Sequence, residues 1–341
     1  MKFVFHETQL RHDPKHFLSS GAQQPNPEIP ERVAKLLAGA GGAGLEKIMP
    51  RDHGLAVAAA VHTPEYLHFL ETIYTRWQRI ADASPEVVPN IHPDRRDLSY
   101  PASAVGQAGY HMADTACPIS AETWESVYWS AQTAAEAASL VLDGEHAAYA
   151  LCRPPGHHAF ADMAGGFCFL NNSAIAAQAL RQRHQRVAIL DVDLHHGNGT
   201  QGIFYARPDV MTVSIHADPV RFYPFFWGHA AERGEGAGLG YNLNLPLSRG
   251  SGDDVFLATL DTAIARIAAY APGAVVIALG LDAFEGDPLG GLSVSTDGFR
   301  AIGQRCAGIG GPTVIVQEGG YLCDELGDNL AAFLAGFRDA A

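Results

Sequence analysis

Six short runs of apolar, largely β-branched residues constrain the fold of this chain: Phe3–Phe5, Ala147–Leu151, Val187–Leu190, Met211–Ile215, Ala274–Leu279 and Thr313–Val316. All but Met211–Ile215, where Thr212 and Ser214 intervene, are continuous instead of alternating polar with apolar residues. Each strand predicted from a continuous run therefore has both faces buried, the condition of a parallel sheet covered on two sides. Alanine-rich helical patterns lie between the runs, at Asn172–Arg183, Gly252–Tyr270 and Thr296–Gly308. This alternation predicts an α/β fold, a parallel sheet with helices on both faces. At 341 residues and 47% hydrophobic, the chain can bury a large core. No repeat or linker divides it, so a single domain spanning residues 1–341 is expected.

One stretch breaks the rhythm. Residues 83–123 carry five prolines (Pro85, Pro89, Pro93, Pro101, Pro118) with Asn90, His92, Asp94, Arg95 and Arg96 among them. A loop excursion of that length in a compact domain usually serves function or interaction. A second stretch is a decoy. Gly39 to Gly44 satisfies G-x-G-x-x-G, but it follows the helical pattern Pro30–Leu37 instead of a strand, so it predicts a helix-ending loop and no dinucleotide site.

Charge narrows the partners. Lys+Arg number 23 against 37 Asp+Glu, a formal charge of −14 that argues against nucleic acid and favours cationic ligands. The cysteines (Cys117, Cys152, Cys168, Cys306, Cys323) are scattered and never spaced C-x-x-C. Neither a disulfide framework nor a zinc ribbon is indicated, and a reducing cytoplasm is expected. No signal peptide and no run of about eighteen apolar residues is apparent, so no membrane partner is expected.

The chemistry gathers where predicted strands end. After Val187–Leu190 come Asp191, Asp193 and His195, which share one face of an extended chain because side chains alternate with period two. Ligands in open α/β sheets collect beyond the carboxyl ends of strands. Asp193 and His195 are natural metal ligands, and Asp282, just past Ala274–Leu279, supplies a third. Two carboxylates and one imidazole leave coordination open for water and a carbonyl, as in catalytic zinc sites. Fe²⁺, Co²⁺ or Mn²⁺ would suit the same donors. Alone, an aspartate at a strand end is a helix cap and a histidine is a packed or surface residue. The coincidence of all of them at neighbouring strand ends is what favours the metal.

His157 and His158 follow Ala147–Leu151. Adjacent side chains diverge in extended backbone, so they are expected to flank the metal's open side. One would be a general base and the other a charged or hydrogen-bonding partner, with Asp191 and Asn198 as candidate acceptors. A carboxylate acceptor makes its histidine the more basic of the two. After Thr313–Val316 comes Glu318-Gly319-Gly320-Tyr321, whose glycines let the backbone bring the Tyr321 hydroxyl toward the site to stabilise an oxyanion.

In this order, R-P-P-G-H-H (153–158), G-F-C-F-x-N-N (166–172), D-V-D-x-H-H-G-N-G-T (191–200), G-x-D (280–282) and E-G-G-Y (318–321) resemble the zinc-dependent histone deacetylase superfamily. The resemblance implies an arginase/deacetylase-like fold and one Zn²⁺ per chain, held by Asp193, His195 and Asp282. It also implies His158 as general base, His157 as its electrostatic partner and Tyr321 as the carbonyl-polarising hydroxyl. Structural K⁺ is implied at two places, one at Asp191, Asp193, His195, Ser214 and Ile215, the other at the carbonyls of Phe204, Arg207, Val210 and Tyr241. Phe167, beside Gly166, matches one aromatic wall of an acyl tunnel; Tyr223 is expected opposite, with Phe225 able to take its place.

Within the superfamily, the excursion, Asp218-Pro219 and Phe284-Glu285-x-Asp287-Pro288 resemble bacterial acetylpolyamine amidohydrolases. That implies a homodimer whose excursion narrows the entrance, and a small cationic acetylated amine as substrate. The sequence departs from that pattern where glutamates would meet a distal ammonium: register places Val105 and Ala116 there, and Asp114 is an acid that could compensate. An acyl-lysine deacetylase of the same superfamily is the alternative. A two-metal ureohydrolase would need carboxylates where His195-His196-Gly197 stands, and a non-catalytic acyl-amine-binding protein would not need the full catalytic set present here.

Overall fold

The computed structural model describes residues 1–96 and 99–341. Eight strands form one sheet: β1 (Lys2–Val4), β4 (Glu46–Ile48), β5 (Ala147–Ala150), β6 (Val187–Asp191), β7 (Val210–Ala217), β8 (Asn242–Leu247), β9 (Ala274–Leu279) and β10 (Thr313–Gln317). Their spatial order is β4-β1-β5-β10-β9-β6-β7-β8, with every pairing parallel. The exposed hairpin of β2 (His16–Ser19) and β3 (Ala22–Pro25) stands apart.

All six predicted strands are present, with ends shifted by at most two residues. β4 and β8 were not expected, for a physical reason. Both are edge strands, half-exposed and interrupted by polar residues, and β8 carries Pro246, which only an edge tolerates well.

Alternation along the central strands divides the core. Tyr149, Val275, Ile277, Leu279 and Ile315 face one helical layer, made of α1 (Glu31–Gly42), α8 (Asp253–Tyr270), α9 (Thr296–Ala307) and α10 (Leu326–Ala340). Large side chains fill that layer, among them Phe256, Phe299, Phe333 and Phe337. The other face presents Ala148, Ala150, Ala274 and Ala278 to α5 (Thr123–Leu142) and α6 (Asn172–Leu180), which answer with Ala134, Ala138, Ala174 and Ala177. Small residues on both sides let these helices lie close to the sheet. The Asn171 side chain starts α6 by accepting the Ala174 amide at 2.9 Å.

The glycine run at 39–44 corrects an expectation. Gly39, Gly41 and Gly42 belong to α1 itself, and the chain turns only at Gly44, with φ +74°. A Cβ at Gly39 would lie 2.4 Å from the Gly327 carbonyl oxygen. Gly39 thus makes a close α1–α10 crossing, and only Ala43 and Gly44 form the expected helix end.

Described residues of the excursion, among them Val87, Ala108 and Met112, pack in one cluster with α3 (Pro64–Trp77). The excursion's ends are pinned where Val87 and Ile119 exchange backbone hydrogen bonds of 2.9 and 3.1 Å, and it contains α4 (Ala104–His111). Positions 97 and 98 of it lie outside the described residues. No described helix is long and apolar enough to cross a membrane. Because all eight strands run parallel, the neighbouring carboxyl ends of β5, β10, β9, β6 and β7 open on one edge of the sheet.

Candidate metal centre and catalytic cavity

Two segments leaving that edge converge. Asp193 and His195 follow β6 and Asp282 follows β9, and one potential ligand atom from each lies within 4.8 Å of the others. Both carboxylates are fully buried. Backbone amides orient them: Gly319 N–H donates to Asp193 Oδ2 at 2.8 Å, His195 N–H to Asp193 Oδ1 at 2.8 Å and Leu194 N–H to Asp282 Oδ1 at 3.0 Å. His195 Nδ1 stands 3.0 Å from Asp282 Oδ2 and 3.4 Å from Asp193 Oδ1.

The cradle leaves no room for side chains around these groups. A Cβ at Gly280 would lie 2.1 Å from Asp193 Oδ2, and one at Gly319 would lie 2.4 Å from Asp282 Oδ2 and 2.6 Å from Asp193 Oδ2. Burial and Asp193 together push Asp282 above the usual carboxylate range. Against the opposing effect of burial, the same two carboxylates raise His195 to about 9. The pocket thus concentrates negative charge, and its hard oxygen and imidazole donors fit a divalent metal.

The histidine pair is asymmetric. His157 Nδ1 meets Asp191 Oδ2 at 3.0 Å, whereas His158 Nδ1 meets Asn198 Oδ1 at 2.6 Å. Burial opposes charge on both rings. At His157 the Asp193 and Asp191 carboxylates overcome it and hold the imidazole well above its usual range. At His158 nothing does: burial, then the neighbouring His157 and His195, keep it well below that range and neutral. With the Asn198 oxygen as acceptor, His158 Nδ1 carries the proton and Nε2 is left with the lone pair. The open choice of acceptors is resolved as Asp191 for His157 and Asn198 for His158.

Tyr321 reaches the site on the loop after β10, where Gly320 adopts φ +110° and a Cβ there would lie 2.7 Å from that of Leu281. Burial, reinforced by Asp282, raises the phenol well above 10, so it is an O–H donor. His158, His195 and Tyr321 line a cavity of about 880 Å³, with Phe167 and Tyr223 among its walls. The Tyr223 ring meets His158 edge-on at 4.9 Å between centroids, and Phe167 meets Tyr321 at 5.8 Å. Phe225 is half exposed toward the entrance, so Tyr223 is the residue over the histidine. Gly166, with φ +52°, has no room for a Cβ, which would fall 2.5 Å from His158 Cδ2.

Several residues of the site were not read from the sequence. The Glu318 carboxylate accepts from the Gly156 and His157 amides at 2.6 and 3.0 Å and from Ser173 Oγ at 2.7 Å, fixing the backbone of the histidine pair. Burial raises it to about 7. Arg32, buried on α1, donates to the Gly320 and Glu318 carbonyls, and its guanidinium lies 5.0 Å from the centre of the Tyr321 ring. Phe17 and Leu18 of the hairpin add apolar surface to the cavity. Only Glu318 carried a sequence signal, as an acid directly after an apolar strand; the others depend on contacts across more than a hundred residues.

The remaining expected positions are distributed as follows. Ala116 lies on the cavity wall, whereas Val105 packs into the cluster around α3. Asp191 Oδ1 accepts the Asp193 amide at 3.1 Å, and Ser214 Oγ lies 2.8 Å from His216 Nδ1, with Ile215 next to it on β7. Phe204 ends α7 (Asn198–Phe204), and its carbonyl accepts the Arg207 amide at 2.9 Å. Val210 begins β7, and the Tyr241 carbonyl accepts from Thr212 at 3.0 Å.

The histone deacetylase domain matches residues 26–337. The chain is 49% identical over 338 residues to the acetylpolyamine amidohydrolase of Burkholderia pseudomallei, covering 99% of this chain and 98% of that one. To acetylpolyamine amidohydrolase 1 of Pseudomonas aeruginosa it is 45% identical over 346 aligned positions, with both chains fully covered. A crystal structure of the Burkholderia pseudomallei acetylpolyamine aminohydrolase superposes with a TM-score of 0.97 at 48% identity, covering 100% of this chain and 99% of that one. The HD domain of HDA15 superposes at 0.80 with 29% identity, covering 98% and 89%. The chain belongs to the histone deacetylase family.

Proposed function

We propose that this protein is a zinc-dependent amidohydrolase that removes acetyl groups from small N-acetylated amines, with acetylpolyamines as its substrates. One observation carries the reading: a neutral His158 and a protonated Tyr321 line one cavity with His195 of the Asp193–His195–Asp282 cluster. A divalent metal held by that cluster supplies a Lewis acid for the amide carbonyl and lowers the pKa of water beside it.

The chain's own groups do the rest. His158 Nε2 takes the proton of the water whose oxygen attacks the carbonyl carbon. The Tyr321 hydroxyl donates to the carbonyl oxygen as negative charge develops there. His157, kept cationic by Asp193 and Asp191, stabilises that charge. When the carbon–nitrogen bond breaks, a protonated histidine returns a proton to the departing nitrogen, giving acetate and a free amine.

The substrate class rests on the relatives' activity and on a cavity with Phe167 and Tyr223 among its walls. K⁺ at the two carbonyl-rich places described above, homodimerisation through the excursion and a cytoplasmic location complete the reading. Ile91 and Tyr100 are exposed apolar groups on that excursion, and all five cysteines are free thiols. The test compares turnover of acetylputrescine, acetylspermidine, acetylcadaverine and an acetyl-lysine peptide by metal-loaded protein, with the solution mass. The small amines should be preferred, and His158→Ala should abolish their turnover. Preference for the peptide would overturn the substrate assignment.

A further inference from the structure

Asp114 joins the two aromatic walls of the cavity. Segment 111–113 of the excursion runs beside Ala164, with Ala113 N–H donating to the Ala164 carbonyl at 2.7 Å and Ala164 N–H to the His111 carbonyl at 2.8 Å. This pairing delivers Asp114 to the turn that carries Phe167, where Gly165 and Cys168 exchange backbone hydrogen bonds. Asp114 Oδ2 accepts the Gly166 amide at 3.1 Å and the Tyr223 hydroxyl at 2.7 Å. Its other oxygen accepts the Ala116 amide at 2.8 Å, which fixes the carboxylate's own orientation.

One carboxylate oxygen therefore holds both a main-chain group beside Phe167 and the side chain of Tyr223. The two walls come from loops otherwise separate: Phe167 precedes α6, and Tyr223 follows β7. Burial and the nearby Asp114 charge keep the Tyr223 phenol protonated, which preserves the donor. Among the described residues no lysine, arginine or histidine side chain forms an ion pair with Asp114, so its contacts at the cavity are with the walls.

We propose that Asp114 is a specificity-determining positioning residue, a clamp that sets the spacing of Phe167 and Tyr223 and so admits only an unbranched chain beside the scissile amide. The inference rests on the deacetylase reading for its substrate and adds a residue that reading does not need. Releasing one arm frees a wall; releasing the carboxylate frees both.

The experiment measures kcat/KM for acetylputrescine and for an analogue methylated on the carbon next to the amide nitrogen, using parent, Asp114→Ala, Asp114→Asn, Tyr223→Phe and the Asp114→Ala/Tyr223→Phe double variant. The preference for the linear substrate should fall about tenfold in Asp114→Ala, the scale of one methyl group in an apolar pocket. Tyr223→Phe should move it the same way by less, and the double variant should go no further than Asp114→Ala, as for two members of one contact. Asp114→Asn, whose amide oxygen can still accept from both walls, should stay nearer the parent. Crystal structures of parent and Asp114→Ala supply a readout independent of turnover, an increased separation of the two rings.

Unmoved rings, or an unchanged preference, would overturn the clamp. So would a loss equal in Asn and Ala variants that spares N-butylacetamide, which lacks the distal ammonium, since that marks a charge contact with the ligand. If the parent hydrolyses neither acetamide, the deacetylase reading fails, and ring separation still decides the clamp.

Discussion

Asp287 Oδ2 accepts the main-chain N–H of Tyr321 at 2.8 Å, while its Oδ1 accepts that of Leu289 at 2.8 Å. The phenol that faces the cavity is thus hung from a carboxylate on the loop that also bears Asp282. Asp287→Ala should release the Tyr321 backbone and lower kcat about tenfold or more with KM nearly unchanged, since small misplacement of a catalytic group is costly. Tyr321→Phe, which removes the donor outright, should cost about 10²-fold. Steady-state kinetics on acetylputrescine checks both; equal losses in KM would show that Asp287 acts on binding instead.

The different acceptors of the histidine pair predict a directional pH effect. Replacing the neutral Asn198 amide by a carboxylate in Asn198→Asp should favour the protonated form of His158 and raise its pKa. A general base works only when unprotonated, so the acid limb of the kcat/KM–pH profile should move upward by about one pH unit. Asp191→Asn should leave that limb in place and lower the plateau, because it removes one of the two carboxylates, with Asp193, that keep His157 cationic. A downward shift in Asn198→Asp would contradict the assignment of His158 as the base.

Gly319 lies between the two metal-facing carboxylates, where an added Cβ would fall within 2.6 Å of both. Gly319→Ala should displace Asp193 and Asp282 together. Metal analysis of the purified variant should show affinity lower by at least about 10-fold, the scale of losing an orienting contact around a metal. The far-ultraviolet circular dichroism should be unchanged, because both neighbouring strands are complete before the substitution. The parent treated with a chelator and refilled with one Zn²⁺ per chain should regain its turnover.

What the sequence makes legible follows from how local the signal is. β9 reads as a strand because all six of its residues are buried on both faces. β8 does not, because an edge strand with one open side mixes asparagine with leucine. Asp193, His195 and Asp282 are legible because each stands just after a strand of a parallel sheet, and such positions meet whatever the loops between them do. Arg32 is not, and Asp114 is legible only as a spare acid of the excursion, not as a contact of the aromatic walls. Asp114 becomes part of the cavity only when the excursion packs beside Ala164, and Arg32 only when α1 docks under the Tyr321 loop. No periodicity announces either contact. The glycine run at 39–44 misleads for the converse reason, since a helix crossing and a helix-ending loop both select small residues, and only the approach of Gly327 separates them.

His62 predicts how the fold responds to acid. Its Nε2 accepts the Asn171 amide at 2.9 Å, and its Nδ1 lies 3.3 Å from the Ala161 carbonyl oxygen, so the buried ring is one neutral tautomer. Protonation would turn Nε2 into a donor facing another donor. Burial lowers the His62 pKa to about 4, and burial does the same for His216. Since an unfolded histidine titrates near 6.5, the unfolded state binds protons between about pH 6.5 and pH 4 that the folded state does not. Stability should therefore fall as pH drops through that window, by up to about 3 kcal/mol for each such ring, and level off below it. His62→Gln lowers stability at neutral pH by losing packing, but it should make the decline across the window shallower by the His62 share. Urea midpoints of parent and variant between pH 7 and pH 4 test this, and comparing slopes cancels any acid loss of metal common to both. Parallel slopes would mean that His62 keeps an ordinary pKa in the folded protein.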